Sequence, residues 1–339
     1  MSTPPATDRS RVIALLVAPV AGTLITLSLA PFSFWPASIL SVGLLCWLLA
    51  DCGAGSAALR GWLYGLGMFG TGVSWVYVSI HVHGNAPLPL AALLTALFCA
   101  GLALLYAMLG WCYARFVRGL PGGMLVGFPI LWVLFEWLRG WLLTGFPWLY
   151  LGNAHIDTWI AGWAPVLGVF GLSLFAAISG SCLFLACRNR RPAGFITYGG
   201  IIVTLWVGGA VLKPVQWTVR ASEEPLDIAI YQPNIPQEHK WDRRWYPQIL
   251  AGYQARVESM YGADIILWPE SAIPNYYQRA RTFIDPIAAM AESSESTLIL
   301  GIPYLAAGRG EYYNSILALG YGEGVYHKQR LVPFGEYVP

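Results

Sequence analysis

Roughly the first two hundred residues of the chain consist of long apolar runs separated by short polar or glycine- and proline-rich segments. An apolar helix of about 20 residues is long enough to cross the hydrocarbon core of a bilayer. The pattern therefore predicts a bundle of about seven membrane spans within residues 1 to 212. These spans lie near residues 12 to 30, 37 to 50, 61 to 80, 88 to 112, 122 to 143, 163 to 187 and 194 to 212.

The pattern changes after a predicted linker at residues 213 to 225. Short β-prone runs then alternate with runs of helical periodicity, which is typical of an α/β layered domain. The expected strands are 226 to 232, 264 to 268, 297 to 302, 313 to 319 and 325 to 328, and the expected helices are 243 to 261 and 276 to 291. The second helix is predicted to be broken or kinked near Pro286. The predicted fold class is a multi-pass α-helical membrane bundle followed by a partial α/β domain at residues 226 to 339.

Composition agrees with this division and narrows the classes of function. Hydrophobic residues make up 56% of the chain and charged residues 11%, against about 25% charged in ordinary soluble domains. The net charge of +2 comes without a basic stripe, which argues against a nucleic-acid partner. The six cysteines end at Cys187 and include no CxxC pair, so they are predicted to be small buried side chains. His81 and His83 have no third ligand nearby, and we predict an interfacial loop and no metal site.

Eight of the nine arginines before residue 213 predict the orientation of the bundle, because Lys and Arg are retained on the cytoplasmic side. They precede span one and lie between spans two and three, four and five, and six and seven, which are alternate loops. They are Arg9, Arg11, Arg60, Arg115, Arg118, Arg188, Arg190 and Arg191. The first pair would also suit a cleaved signal peptide, but further spans follow, which favours an uncleaved first helix. Seven spans then predict an internal amino terminus and an external α/β domain.

Two ionisable residues fall inside the fifth predicted span. Glu136 and Arg139 are three residues apart, so they would lie on one helix face and are positioned to pair. Charged groups at membrane depth are costly and often functional, but an interfacial pair that reaches toward the headgroups is an equally good interpretation. The next segment, residues 144 to 148, has the Gly and Pro of a re-entrant turn. Its aromatic Trp148 is predicted to line a lipid entrance.

Two charged residues stand out in the α/β region. Glu270 follows the predicted strand 264 to 268, and active groups of layered α/β folds gather at the carboxyl ends of strands. Lys328 is the last residue of the predicted strand 325 to 328, which forms part of a predicted hairpin. Taken alone, each residue is better explained as a solvated surface charge, and only the surrounding segments favour a catalytic role.

Those segments resemble the nitrilase superfamily, and more closely the apolipoprotein N-acyltransferases of bacterial envelopes. In the α/β region the resemblance is carried by 232 to 241 (QPNIPQEHKW), 268 to 274 (WPESAIP), 313 to 315 (YNS) and 328 to 339 (KQRLVPFGEYVP). In the apolar region it is carried by 75 to 79 (WVYVS), 136 to 140 (EWLRG) and 144 to 148 (TGFPW). The WPESAIP and LVPFGEYVP segments together make the resemblance specific.

The resemblance implies roles for individual residues. Glu270 would be the general base, Lys328 would stabilise the oxyanion, and Glu336 would be a supporting carboxylate. Trp241 would shape an acyl pocket. The residues implied to contact substrate in the membrane region are Tyr77, Glu136, Arg139 and Trp148.

The resemblance also implies an architecture and a reaction. The family fold is an eight-helix membrane bundle that bears an αββα nitrilase-like domain on the periplasmic side of the bacterial inner membrane. The reaction moves an acyl chain from a phospholipid to the amino-terminal amine of a diacylglyceryl-cysteine apolipoprotein, through a Glu-Lys-Cys ping-pong cycle without a cofactor. A monomer is expected.

No cysteine follows Cys187, so the eighth helix and the nucleophile are expected beyond residue 339 and the chain is expected to be truncated and inactive alone. Two other classes stay open at this point. One is a membrane-tethered amidase of the nitrilase type, and the other is a membrane scaffold or transporter with a non-catalytic domain.

Overall fold

The computed structural model describes residues 8–306, 308, 310–332 and 336. The chain divides into two compact units, Met1–Thr218 and Val219–Pro339. The division falls within residues 213 to 225, the segment that the sequence predicts to be a linker.

The first unit is helical. Its longer helices are α1 (Asp8–Ser28), α2 (Pro36–Ala50), α3 (Ala54–Gly72), α4 (Leu88–Cys112), α5 (Phe128–Arg139), α6 (Ala164–Asn189) and α7 (Pro192–Leu212). Short π-helical turns extend α4 at Tyr113–Val117 and precede α5 at Gly123–Gly127. Each predicted span therefore overlaps one of these helices.

Not all of these helices are long enough to cross a bilayer. Among the described residues, four apolar helical segments reach that length, namely Arg11–Ser28, Leu88–Val117, Trp159–Asn189 and Pro192–Leu212. A fifth results if α3 and the helical turns at Val76–His83, which meet at a 61° bend, form one span. Helix α2 has 15 residues and α5 has 12. The membrane character of the unit is thus established by its apolar helices, and the number of seven spans stays a prediction.

Small residues bring the helices of this unit close together. A Cβ atom on Gly22 of α1 would overlap the Tyr64 carbonyl oxygen of α3, and one on Gly61 of α3 would overlap the Tyr106 carbonyl oxygen of α4. These glycines let helix backbones pack closely, which stabilises helix association in lipid because the hydrophobic effect does not drive helices together there. The Tyr64 hydroxyl is 2.7 Å from the Ser41 hydroxyl of α2, so these two buried polar groups pair across helices.

The second unit is a five-stranded mixed sheet with helices. Its strands are β1 (Ile228–Ile230), β2 (Ile265–Leu267), β3 (Thr297–Leu305), β4 (Tyr312–Gly320) and β5 (Gly324–His327), in the spatial order β1-β2-β3-β4-β5. Strands β1, β2 and β3 are parallel, whereas β4 runs antiparallel to β3 and β5 antiparallel to β4. Its helices are α8 (Gln237–Lys240), α9 (Tyr246–Val257) and α10 (Tyr277–Ser293). This arrangement confirms the predicted α/β class.

Helix α10 shows how the sequence specifies the packing. Its buried residues Ala280, Ile284, Ile287 and Ala291 recur every three or four positions, so one face of the helix is apolar. That face joins a core that includes Leu298, Leu300 and Ile302 of β3. The helix continues through Pro286, so the expectation of a break there is wrong.

Candidate active site

The sheet brings three polar segments to one edge. Because β2 and β3 are parallel and β4 is antiparallel to both its neighbours, the ends of β2 and β5 and the start of β4 share that edge. Glu270 follows β2, Asn314 lies early in β4, and Lys328 follows β5 directly. The strand topology therefore explains why residues that are far apart in sequence meet here.

Glu270 is held by a tight turn against β3. An ideal Cβ atom on Gly301 would lie 2.6 Å from the Glu270 Cα atom, so only glycine allows this approach. The Ala272 amide donates to the Gly301 carbonyl oxygen at 2.8 Å. Ser271 adopts the left-handed conformation with φ 48°, which few residues other than glycine adopt without strain. The turn therefore fixes the position of the Glu270 backbone.

The Lys328 ammonium lies between two carboxylates. Its Nζ atom is 2.7 Å from Oε1 of Glu336 and 3.6 Å from Oε1 of Glu270. The Lys328 backbone amide donates to the Asn314 carbonyl oxygen at 2.8 Å, which anchors the residue beside β4. The structure thus places the three charged residues predicted for the site, Glu270, Lys328 and Glu336, in one cluster.

Asn314 joins the two carboxylates and was not predicted as a site residue. Its Nδ2 atom donates to Oε1 of Glu270 at 2.6 Å and to Oε1 of Glu336 at 3.1 Å. A side-chain amide carries two N–H donors, so one Asn can satisfy both acceptors. The only sequence signal was its place in the YNS segment, which marks no chemistry by itself.

The two carboxylates differ in environment. The Glu336 side chain is 22% exposed, and the Glu270 side chain is 67% exposed. Burial raises the pKa of Glu336, but hydrogen bonds from Lys328, the Val332 amide and Asn314 together lower it below its usual value. The hydrogen bond to Glu336 raises the pKa of Lys328, and the nearby charge of Glu270 raises it further against the opposing effect of burial. Lys328 and Glu336 therefore form an ion pair, and Glu270 is the more exposed of the two carboxylates.

A second lysine contacts the Glu270 turn. The Lys240 Nζ atom, at the end of α8, donates to the Glu270 carbonyl oxygen at 2.9 Å. Burial lowers the pKa of Lys240, and the charge of Glu270 opposes that effect. Trp241 follows directly and is 55% exposed. Lys240 was not predicted, and the acyl-pocket role of Trp241 stays a prediction.

In the first unit, Glu136 and Arg139 are buried and contact other groups. Glu136 and Arg139 are each 2% exposed, so neither reaches an aqueous interface. Oε1 of Glu136 accepts hydrogen bonds from Trp132 Nε1 at 3.0 Å and from the Leu151 amide at 2.7 Å. Within the chain that the structure describes, no ion pair of 4.0 Å or less joins the two residues. The expectation that they form a direct ion pair is therefore wrong: Oε1 of Glu136 is engaged by other donors, and Oε2 has no hydrogen-bond partner among the described residues.

Arg139 is enclosed by aromatic rings. Its guanidinium carbon lies 5.2 Å from the Tyr150 ring centroid and 5.3 Å from that of Phe69. Nη2 donates to the Leu149 carbonyl oxygen at 3.3 Å. Glu136 and Arg139 thus both tie α5 to residues 149 to 151, and contact with substrate stays a prediction for each.

Aromatic residues cluster where the sequence predicts a lipid entrance. Trp148 is 47% exposed, and its ring centroid is 5.3 Å from Phe146 and 5.7 Å from Trp75. Tyr77 packs instead on His81, with ring centroids 5.4 Å apart. Exposed indoles are typical of the membrane interface.

Both units match domains of known protein families. Residues 21–182 match the apolipoprotein N-acyltransferase N-terminal domain, and residues 227–339 match the carbon-nitrogen hydrolase domain. The apolipoprotein N-acyltransferase of Pseudomonas syringae pv. tomato is 42% identical over 330 residues, which cover 96% of this chain and 65% of that protein. The apolipoprotein N-acyltransferase of Pseudomonas aeruginosa PAO1 is 41% identical, and the match covers 96% of this chain and 64% of that protein. The apolipoprotein N-acyltransferase of Methylococcus capsulatus is 39% identical, and the match covers 96% of this chain and 65% of that protein.

The fold and the clustered carboxylates and lysine define a membrane protein with a nitrilase-like domain of the carbon-nitrogen hydrolase class. Within that class, the chain belongs to the apolipoprotein N-acyltransferase family. It spans about 65% of the length of the curated relatives named above.

Proposed function

We propose that this chain supplies the membrane unit and two catalytic groups of an enzyme that transfers an acyl chain from a phospholipid to the amino-terminal amine of a diacylglyceryl-cysteine apolipoprotein. The observation that carries the proposal is the position of Lys328, 3.6 Å from the accessible carboxylate of Glu270 and 2.7 Å from Glu336. Acyl transfer needs a base that deprotonates the nucleophile and a cation that stabilises the oxyanion, and both groups are present in this cluster. Attachment to an apolar helical unit suits a reaction in which both substrates reside in the bilayer.

The first half-reaction requires a cysteine as its nucleophile. Residues 219–339 contain no cysteine, so this part of the second unit does not supply that nucleophile. Glu270 accepts the thiol proton, and the thiolate attacks the carbonyl carbon of a phospholipid ester. Lys328 stabilises the negative charge on the tetrahedral oxygen, a contribution of about 3 to 4 kcal/mol for a well-placed donor. The carbon–oxygen bond then breaks, Glu270 returns its proton to the leaving lysophospholipid, and a thioester remains.

The second half-reaction regenerates the enzyme. The amine of the apolipoprotein attacks the thioester while Glu270 takes a proton from that amine, and an amide forms as the thiolate leaves. The thiolate then recovers the proton from Glu270, so all atoms and charges balance over the cycle. Glu336 and Asn314 take no part in bond changes; they orient Lys328 and Glu270 through the hydrogen bonds described above.

The proposed location is the bacterial inner membrane, with the second unit on the periplasmic side. The distribution of arginines in alternate loops supports this orientation. A cysteine-labelling experiment across the membrane, with single cysteines placed at exposed sites of the second unit, tests it. Reaction with an impermeant reagent in intact spheroplasts is expected, and reaction only after lysis would reverse the orientation.

The proposed function is tested with a chimera that continues residues 1–339 with the corresponding carboxyl-terminal segment of the Pseudomonas syringae relative. The chimera is expected to form an acyl-thioester with a phospholipid and to acylate a diacylglyceryl-cysteine peptide, whereas residues 1–339 alone form neither product. Release of ammonia from small amides without acyl transfer would favour the amidase. Failure of both reactions in a folded chimera would favour the non-catalytic scaffold.

A further inference from the structure

A cavity of about 440 Å³ lies in the membrane unit, at the end of the helices where α2, α4 and α6 finish. It is separate from every residue that the proposed reaction uses. Its polar lining includes Asp51, Arg118 and Arg188, and its apolar lining includes Tyr113, Met124 and Phe184. The cavity therefore combines fixed charge with an apolar wall.

The charges of the cavity do not cancel. Arg188 donates to both carboxylate oxygens of Asp51, at 2.7 Å and 2.9 Å, and its guanidinium carbon is 5.8 Å from the Phe184 ring centroid. This bidentate pair neutralises Asp51. Arg118 donates through Nη1 to the Cys52 carbonyl oxygen, and no carboxylate lies within ion-pair distance of it in the part of the chain that the structure describes. One positive charge, held in place by a backbone hydrogen bond, therefore remains.

The Arg118 guanidinium keeps further N–H groups that can bind an anion. A guanidinium carries five N–H donors, and its fork matches the oxygens of a phosphate. The same end of the helices also carries Arg60 near the start of α3, Arg115 in the turn that extends α4, and Arg190 and Arg191 between α6 and α7. The sequence predicts that these arginines face the cytoplasm. Basic pockets between helices on that side suit anionic lipid headgroups, whose phosphate meets the charge while the glycerol and first methylenes meet the apolar wall. The volume fits a headgroup rather than a whole lipid.

We propose that this cavity binds the phosphate of an anionic phospholipid as a resident lipid, distinct from the acyl donor that the proposed reaction consumes. The lipid would bridge the ends of α2, α4 and α6 in the leaflet predicted to be cytoplasmic. The site is independent of Glu270 and Lys328, so loss of the proposed acyl transfer would leave it unaffected.

Gly53 allows a test that leaves the protein contacts intact. It lines the cavity, precedes α3 as its N-cap, and has no atom within 4 Å of an added Cβ. Its φ of −65° and ψ of 161° suit any residue. Asp and Asn are both good N-caps, so Gly53→Asp and Gly53→Asn differ only in the charge that they bring to the cavity.

The measurement is native mass spectrometry of the detergent-solubilised chain with phosphatidylglycerol or phosphatidylcholine. The unsubstituted chain and Gly53→Asn are expected to retain phosphatidylglycerol preferentially, and Gly53→Asp to bind it about tenfold more weakly. Arg118→Gln should show the same loss, whereas Arg115→Gln, which removes an exposed guanidinium stacked 5.4 Å from the Phe116 ring, should not.

Three results would overturn the proposal. Equal retention by Gly53→Asp and Gly53→Asn would show that charge in the cavity does not matter. An equal loss in Arg115→Gln would assign the binding to diffuse surface charge. Displacement of phosphatidylglycerol by an equal concentration of inorganic phosphate would assign the cavity to a free anion instead of a lipid.

Discussion

The ammonium nitrogen of Lys328 lies 2.7 Å from Glu336 but 3.6 Å from Glu270. Lys328 is therefore paired closely with Glu336, the less exposed carboxylate, and lies farther from Glu270, the more exposed one. A base that is tightly paired with a cation gives up a large part of its ability to accept a proton. The unequal distances support the proposed roles, in which Glu270 is the base and Glu336 positions Lys328.

Glu336 is predicted to stabilise its segment only above a certain pH. Its pKa in the fold lies below the usual value of 4.5, so its contribution is fully present above pH 4.5 and lost as pH falls through the lowered pKa. The pKa of Lys328 lies above 10.5, so its contribution is fully present below pH 10.5 and is lost only as pH rises through the raised pKa. The reporter is the exchange protection of the Val332 amide, which donates to Oε2 of Glu336 at 2.8 Å.

Acidification to below pH 4.5 is expected to lower that protection after correction for intrinsic exchange. Glu336→Gln should lower it at pH 7 by about tenfold, equivalent to the roughly 1.5 kcal/mol of a hydrogen bond to a charged group. The variant should also lose the dependence on pH. Unchanged protection in Glu336→Gln would contradict the pairing described here.

Asn314 is predicted to be a positioning residue for both carboxylates. Asn314→Ala removes its two hydrogen bonds, and Asn314→Asp replaces the donor by a third negative charge 2.6 Å from Glu270. Both variants should lower the rate of acyl transfer by the chimera about tenfold or more, with the Asp variant the slower because like charges repel. Gln248→Ala, in α9, is the matched control. Equal rates in all variants would remove Asn314 from the site.

Gly301 is predicted to be required for the position of Glu270. In Gly301→Ala the new methyl group meets the Glu270 backbone, which has no flexible end that can move aside. We expect a loss of about 2 kcal/mol in the stability of strands β2 and β3, measured by the denaturant dependence of amide exchange, together with slower acyl transfer. Gly252→Ala is the control, since its Cβ would lie 3.6 Å from the Tyr231 hydroxyl oxygen and helix α9 gains from alanine. A stable, fully active Gly301→Ala would contradict the geometry of the turn.

Glu136 is predicted to stabilise the membrane unit as a hydrogen-bond acceptor. Glu136→Ala leaves the buried Trp132 indole and Leu151 amide without their acceptor, which costs about 3 kcal/mol, whereas Glu136→Gln keeps an oxygen in place and costs less. Unfolding in mixed detergent micelles measures both. If the two variants were equally stable while acyl transfer failed in both, the role of Glu136 would lie in substrate contact instead.

The parts of this protein that the sequence could predict are those with a local signal. The seven apolar runs and the strand periodicity around Ile266 and Ile299 depend on neighbouring residues only, and the observed elements follow them. Glu270 and Lys328 could be found because Glu270 follows a predicted strand and Lys328 ends one. The resemblance to a known family then added their roles.

The parts that were missed depend on contacts between distant residues. Asn314 is 44 positions from Glu270 and 22 from Glu336, and an Asn within a strand has no local signature. The expected pairing of Glu136 with Arg139 rested on helical spacing, but the Leu151 amide, 15 positions away, engages the carboxylate instead. Gly301 likewise shows its importance only once β3 lies beside the Glu270 turn. Local pattern thus predicts elements and candidate residues, and tertiary contacts decide their partners.

The joint action of Glu270 and Lys328 is the core of the proposed acyl transfer. Its most direct measurement is the single-turnover rate of thioester formation by the chimera with a labelled phospholipid, compared among Glu270→Gln, Lys328→Met and the exposed control Glu292→Gln. We expect a loss of at least about a hundredfold in each of the first two variants, with folding intact, and none in the control. Thioester formation at more than half the unsubstituted rate in either Glu270→Gln or Lys328→Met would contradict it.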